Sequence, residues 1–437
     1  MERVLIVPWG NPFQWEPITY EYDGCKMKSS STLPVLVNAL KPEKILIFTL
    51  DTLANIQVRG KPEIEPKDFK RYSEVVEDVQ SRIKWFIGNE LSSDFLDLIK
   101  MLKDGRVEIV VAPGVGLFKN INVEGDILDF YNYVLHVLST KLPSNNLEIY
   151  LDLTHGINFM PTLLYRALNN LLGLSAFVNE CRLVVLNSEP YPQGFQRDEK
   201  ESIVSTTTLR IRTVENRVLR PKPIYSRVSD DKLSAFISSL ANGLPLVFTT
   251  FYPEIDKLKT LMDEELSEFL KNIDVGGRHI RRLRGFSNDF KTLTKIYYLI
   301  RCLNSSHEMF GELPKEEVSI DTLEGLTELV FKKIRRLEII TKRDVRQIRD
   351  IIKKAIKKEG KMSEKLRIGE KLLYLNVYNF TKDKNILKKD KIDPRDFVAH
   401  SGLISDLIYV RLCGEDKLLS YEDREKVIEL SIESMWG

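Results

Sequence analysis

Leu147-Glu-Ile-Tyr-Leu-Asp-Leu-Thr-His-Gly-Ile-Asn-Phe-Met-Pro161 is the stretch from which the fold can be read. It begins as a short apolar run at 147–153. It breaks at a polar loop containing Asp152, Thr154, His155, Gly156 and Asn158, and then passes into helical periodicity over 159–172. A strand that ends in such a loop and opens a helix is the repeating unit of a parallel sheet. Four further runs of this kind lie at 4–7, 45–50, 107–112 and 183–186. Each is short, rich in branched side chains and bounded by Gly, Pro, Asn or Asp. Periodic stretches at 31–40, 68–86 with 95–102, and 127–142 fall between them. Continuous apolar runs mark strands buried on both faces. The expectation is an α/β, Rossmann-like N-terminal domain with a parallel sheet covered by helices.

This rhythm stops near residue 188. The segment 188–194 is a turn cluster, 205–213 alternates and reads as one more strand, an antiparallel one, and 220–223 looks like a linker. From about residue 230 the pattern is helical and strand signals nearly vanish. Helices are expected over 254–272, 289–303, 322–337, 344–358, 366–378 and 403–412. A chain of 437 residues is too long for one ordinary core. We divide it into 1–225, an all-α helical connector at 226–310, and an all-α domain at 311–437.

The net charge is only +2, but residues 332–396 hold 22 Lys/Arg against 10 Asp/Glu, an excess of +12 that leaves about −10 elsewhere. This asymmetry points to a polyanion partner or to a solvated, ion-paired helix face. Cys25, Cys181, Cys302 and Cys413 are far apart, which argues against disulfides and structural zinc. No run is long enough for a membrane helix, and Met1-Glu-Arg leads straight into a strand without a signal peptide. A cytoplasmic protein without a membrane partner is expected.

Ligands of open parallel sheets bind beyond the carboxyl ends of the strands. Three such ends carry unusual residues: Pro8-Trp-Gly-Asn-Pro12, Ala112-Pro-Gly-Val-Gly116 and Asp152 to Asn158. Gly114 and Gly116 allow close backbone approach, while Thr154, His155 and Asn158 offer groups for phosphate, ribose or base edges. Thr154 could equally be a helix cap, and His155 a packed histidine. The third glycine of a dinucleotide fingerprint is missing, as is a GKS or GKT loop, which speaks against a dinucleotide-dependent enzyme. No carboxylate cluster of metal-binding type is seen.

Arg395-Asp-Phe-Val-Ala-His400 follows the helix-start signals Asp393 and Pro394. An always-charged guanidinium and a proton-exchanging imidazole about a turn and a half apart form a minimal kit for cleaving a phosphodiester without metal. The plain alternative is a histidine packed under the basic segment.

The run Asp152 to Pro161 resembles the signature loop of CARF domains (CRISPR-associated Rossmann fold). Arg395…His400 resembles the R-x-x-x-x-H signature of HEPN ribonucleases, and the 230–310 region resembles their helix-turn-helix-like connector. The order is similar to that of stand-alone accessory ribonucleases of type III CRISPR systems. The resemblance implies a metal-independent endoribonuclease for single-stranded RNA that needs no cofactor. Cyclic oligoadenylate, most often four adenylates, would activate it across a homodimer axis, and dimers could multiply further. Matching ligand positions are Gly10, Asn11, Ser29, Ser30, Ser31, Thr32, Thr154, His155, Gly156 and Asn158, together with Asp152 of the loop. Catalysis falls to Arg395 and His400 of both subunits, with Asp396 as the polar residue after the arginine. Trp9, Phe13, Trp15, Tyr20 and Tyr22 could stack on adenine or pack over the sheet edge. Two other readings stay open. One is a ligand-responsive DNA-binding regulator using Arg278-His-Ile-Arg-Arg-Leu-Arg284. The other is a ring nuclease using Lys28, Ser29 and His155.

Overall fold

Apolar runs with no polar side to offer water pair side by side beneath helices. The computed structural model of the chain describes residues 1–58, 67–91, 96–192 and 203–436. Phe95 and the end of the turn cluster at 193–194 lie outside them. All five apolar runs are parallel neighbours: β1 (Glu2–Pro8), β4 (Lys44–Leu50), β5 (Val107–Ala112), β8 (Leu147–Asp152) and β9 (Cys181–Ser188). The strand expected near 205–213 is β10 (Thr208–Val218), antiparallel to β9. The hairpin β2 (Ile18–Tyr22) and β3 (Cys25–Ser29) extends the sheet to the order β3-β2-β10-β9-β8-β1-β4-β5. Helices Leu33–Leu40, Tyr72–Glu90, Leu96–Lys103, Ile127–Lys141 and Met160–Ser175 appear where helical periodicity was read.

The chain divides into two compact units. Residues 1–172, 179–219 and 261–294 form the first, and 173–178, 220–260 and 295–437 form the second. A second sheet in the first unit has the order β11-β12-β7-β6. It contains β6 (Gly116–Leu117), β7 (Asn122–Glu124), β11 (Ile273–Gly276) and β12 (His279–Arg282).

The helical expectation fails at this last hairpin. Gly276 pairs with His279 across the two-residue loop Gly277-Arg278, and Gly277 has a φ of 59°. Glycine at a left-handed loop position favours a tight hairpin over a continued helix. Ile280 and Arg282 point inward while His279 and Arg281 are exposed. The segment Arg278–Arg284 is therefore no helix for a DNA groove, which removes the feature on which the DNA-binding reading stood.

The second unit is mainly helical. Its longest helix, Arg335–Lys357, buries Leu337, Thr341, Val345, Ile348 and Ile352, a stripe at three- and four-residue spacing. Three expected helices change form. The 403–412 segment becomes strand Ile408–Cys413, paired with Asp416–Tyr421 across Gly414 and Glu415. Ile408 and Val410 are buried while Arg411 is exposed, so period-two burial and the glycine turn prevail over helix propensity. Together with Val318–Ser319 and Leu372–Leu373 these strands make a small four-stranded antiparallel sheet within the region read as all-α. The 322–337 segment is divided into helix Ile320–Leu326 and a π turn Thr327–Phe331, where the Thr327 hydroxyl donates to the Leu323 carbonyl at 2.8 Å. The 366–378 segment breaks after Arg367, because Gly369 takes a φ of 80° before helix Tyr374–Lys382 begins.

Arg282 fixes the hairpin within the first unit. Its guanidinium pairs with Asp51 at 3.2 Å and Asp129 at 3.0 Å, and donates to the Gly114 carbonyl. Asp51 also accepts from Gly114 N at 2.7 Å and from the Tyr72 hydroxyl at 3.0 Å. Burial pushes the Asp51 carboxyl up to about 6 against the opposing pull of Arg282. Arg282→Ala is expected to destabilise the first unit by about 3–5 kcal/mol, since it strands two buried carboxylates. Chemical denaturation followed by tryptophan fluorescence reads this as a lower midpoint; an unchanged midpoint contradicts it.

Candidate functional site

Two groups of side chains stand out, one in each unit. The first lies at the carboxyl ends of the central strands. Asp152 closes β8 with a fully buried carboxylate that has no cationic partner among the described residues. It accepts from the Thr32 hydroxyl at 2.5 Å, the Thr154 hydroxyl at 2.5 Å and Thr154 N at 3.1 Å. Burial raises its pKa against these hydrogen bonds. Asp152 thus ties the start of helix Leu33–Leu40 to the loop after β8 and faces inward.

Ser29, Ser30, Ser31 and Thr32 are buried as well. The Ser29 hydroxyl accepts from Ser31 N at 3.2 Å and the Ser31 hydroxyl from Leu33 N at 3.2 Å. These four residues organise the strand-to-helix turn. Thr154 is less a helix cap than a bridge, because its hydroxyl also accepts from Ser188 N at 3.0 Å. Gly10 N donates to the His155 carbonyl at 2.9 Å and so holds the first loop against this one. Gly10 and Gly156 allow the contact: a Cβ on Gly10 would meet Ile157 at 2.5 Å, and one on Gly156 would meet Pro161 at 2.6 Å. Asn11 caps the short turn Pro12–Gln14 by accepting from Phe13 N at 3.2 Å.

His155 is a packed histidine placed at a cleft wall. Its ring stacks on Trp15 at 4.0 Å, meets Tyr20 edge-on, and its Nε2 accepts from Thr32 N at 3.3 Å. Burial pushes the imidazole down to about 3, so the ring is neutral near pH 7. Trp9 and Phe13 are buried and pack edge-on against Phe86, which assigns them to covering the sheet edge. Trp15 and Tyr20 instead line a cleft of about 540 Å³ with Thr154, His155 and Tyr191.

A second cleft, of about 610 Å³, is lined by Gly10, Asn11, Ile157, Lys119, Asn120 and Arg278 among others. The loop after β8 therefore contributes Ile157 to one cleft and Thr154 and His155 to the other. Asn158 is exposed with a φ of 50°. Gly114 lies in the Asp51–Arg282 network, and Gly116 starts β6. Among the described residues, no three His, Cys, Asp or Glu side chains are gathered to hold a metal. No described helix is long and apolar enough to cross a membrane.

The second group surrounds the six-residue helix Pro394–Ala399. Asp393 caps it by accepting from Arg395 N at 2.8 Å, and Phe397 anchors it, fully buried. Arg395, Asp396 and His400 are all exposed. The chain leaves the helix through Ser401 and Gly402, whose φ values are 52° and 73°. Three contacts clamp that exit. Arg343 donates to the Ala399 carbonyl at 3.0 Å, the Ser401 hydroxyl donates to Asp344 at 3.2 Å, and the Tyr421 hydroxyl donates to the Gly402 carbonyl at 3.1 Å. Asp396 lies 3.4 Å from Lys389. Neither the Arg395 guanidinium nor the His400 imidazole has a hydrogen-bond or ion-pair partner among the described residues, so both are open to a ligand.

Sequence reasoning passed over Asp51, Asn120, Arg343 and Asp344, and read Arg278 and Arg282 only as part of a DNA-contacting segment. One signal was available: Asp51 ends an apolar run just as Asp152 does. The partners Arg282 of Asp51 and Thr32 of Asp152 lie too far along the chain for spacing to reveal them.

Two family models match the chain, one over each region that holds a group. The family model "CRISPR system endoribonuclease Csx1, CARF domain" matches residues 4–190, and the corresponding HEPN-domain model matches 335–425. A curated CRISPR system endoribonuclease Csx1 from Methanocaldococcus jannaschii is 29% identical over 98% of this chain and 90% of its own length. Csm6 of Enterococcus italicus, solved bound to cyclic hexa-2'-fluoro-hexa-dAMP, aligns over 100% of this chain and 93% of its own. At 13% identity and a TM-score of 0.24, that superposition is too loose to bear on fold or ligand.

The packing of His155 can be tested directly. Histidine-labelled NMR should show its ring untitrated from about pH 8 to about pH 5, since a buried neutral imidazole gains its proton only well below its ordinary range. A midpoint near the ordinary value of 6.5 contradicts the described packing.

Proposed function

Because the chain belongs to the Csx1 family of CARF–HEPN CRISPR endoribonucleases, we propose that it cuts single-stranded RNA without a metal in type III CRISPR defence, switched on by cyclic oligoadenylate bound at the sheet edge. The observation that carries this reading is the open pair Arg395 and His400 at the two ends of a short, firmly clamped helix.

RNA supplies its own nucleophile, the 2′-hydroxyl. Cleavage needs a base for that proton, an acid for the departing 5′-oxygen and positive charge at the phosphoryl oxygens. His400 serves the proton transfers and Arg395 stabilises the developing charge. One subunit has one His400, so two paired subunits supply both the base and the acid. The product is a 2′,3′-cyclic phosphate with a 5′-hydroxyl, and DNA is not a substrate. Asp396, beside Lys389, completes the polar surface of the helix. Exposed Arg335, Arg336, Arg343, Arg346 and Lys353 on helix Arg335–Lys357 supply phosphate contacts, so RNA binding should weaken with salt.

On the sensor side, Asn11, Asn158 and the flanking clefts face the ligand, while Asp152, Ser29, Ser30, Ser31 and Thr32 hold the loops in place. Exposed Leu117, Phe118 and Ile157 offer apolar surface for pairing of subunits. Four adenylates are the ring size to try first. His155, neutral and with Nε2 already accepting a hydrogen bond, is a poor general acid for degrading the ring.

Labelled RNA incubated in EDTA with and without cyclic tetra-adenylate should be cut faster with the ligand, and His400→Ala should lose about 10²–10⁴-fold in rate. Cutting that EDTA abolishes, or that His400→Ala retains, contradicts the mechanism. Asp344→Asn weakens the clamp on the helix exit. Its single-turnover rate should fall by roughly 10–100-fold with RNA affinity little changed, and a wild-type rate contradicts that role.

A further inference from the structure

We propose that Arg278, at the tip of the hairpin Ile273–Arg282, is a ligand-binding residue that contacts a phosphodiester of the cyclic oligoadenylate. The proposal rests on the sensor reading above and extends that site to a segment 120 residues beyond the signature loop, counted from Asn158 to Arg278. The cleft of about 610 Å³ brings Arg278 together with Gly10, Asn11 and Ile157, residues of the loops assigned to the ligand.

Arg278 differs from its neighbours in the use of its charge. Arg281 pairs with Glu124 at 2.8 Å, Arg282 is held by Asp51 and Asp129, and Arg284 pairs with Glu268 at 3.1 Å. Arg278 is exposed, and its guanidinium has no ion pair or hydrogen bond among the described residues. A cation without a protein partner on the wall of a cleft is suited to an anionic ligand, and arginine suits phosphate through its planar fork of donors.

The tip is also positioned in advance. The Arg278 carbonyl accepts from Asn122 N at 2.8 Å, and His279 and Ile280 pair with Asn122 and Val123 of β7. Gly277 bridges to Phe69, and Arg282 locks the far end of the strand. A preplaced contact loses less entropy on binding.

The same wall carries Lys119 and Asn120. The Asn120 amide donates both hydrogens, to the Thr52 carbonyl at 2.8 Å and the Ala54 carbonyl at 2.6 Å. Its own carbonyl oxygen is therefore left as an acceptor for an amine such as the adenine N6. Cations for phosphate and an acceptor for an exocyclic amine form a set suited to an adenylate.

The test is direct binding of fluorescent cyclic tri-, tetra- and hexa-adenylate to the full-length wild type and to Arg278→Ala, Arg278→Lys and Arg284→Ala. Arg278→Ala should weaken binding of the ring that the wild type prefers by roughly tenfold or more, and the loss should shrink as salt rises. Arg278→Lys should recover most of the affinity, and Arg284→Ala should bind as wild type does. Equal binding by wild type and Arg278→Ala overturns the inference and leaves the sensor reading intact. A wild type that binds none of the rings overturns both, so the two failures are distinct.

Discussion

The arrangement of the first unit depends on how two carboxylates are satisfied at one edge of a parallel sheet. Asp51 directly follows β4 and Asp152 ends β8, and both are buried. An unpaired carboxylate in such a place would cost several kcal/mol, so each must recruit partners. Asp51 takes Arg282, Gly114 and Tyr72, which binds the hairpin of the middle segment to the strand ends. Asp152 takes Thr32 and Thr154, which sets the turn into the first helix and the loop after β8. The clefts at this edge are shaped by loops whose positions follow from those two choices. Buried acids here hold the loops that line two clefts, and exposed amides and cations are left on the cleft walls.

How far this could be read from the amino acids alone varied with the locality of the signal. The parallel strands were legible because a strand buried on both faces must be apolar throughout. The hairpin at Ile273–Arg282 carried its own turn signal in Gly276 and Gly277, but the long helical periodicity on either side masked it. Strand Ile408–Cys413 was masked in the same way, and its alternation becomes informative only with Gly414 as a turn. At helix Pro394–Ala399, Arg395 and His400 were visible as a motif. Arg343 and Asp344, which hold the end of that helix, lie 57 residues before Ser401 in the case of Asp344 and had no local mark. In the loop after β8 every polar residue was noticed, yet only burial separates Asp152, which faces inward, from Asn158, which is exposed.

The two groups of residues suit different work. Helix Pro394–Ala399 is short, capped at one end by Asp393 and clamped at the other, so Arg395 and His400 are presented from a rigid base. Rigid presentation supplies orientation without further cost at the moment of reaction. In the proposed mechanism, what remains variable is the pairing of two such helices, since each brings one histidine to a reaction that uses two. A ligand that favours one arrangement of subunits by a few kcal/mol changes the rate by orders of magnitude. In this account the sheet edge is the place where that free energy enters.

The most direct test is the single-turnover cleavage rate of RNA already bound to the protein, in EDTA, as cyclic tetra-adenylate is added. The account predicts a rate that rises by about tenfold or more, saturates with occupancy of the sheet-edge site and does not respond to linear adenylate. A cleavage rate independent of the cyclic ligand while that site fills would contradict the coupling on which the account rests.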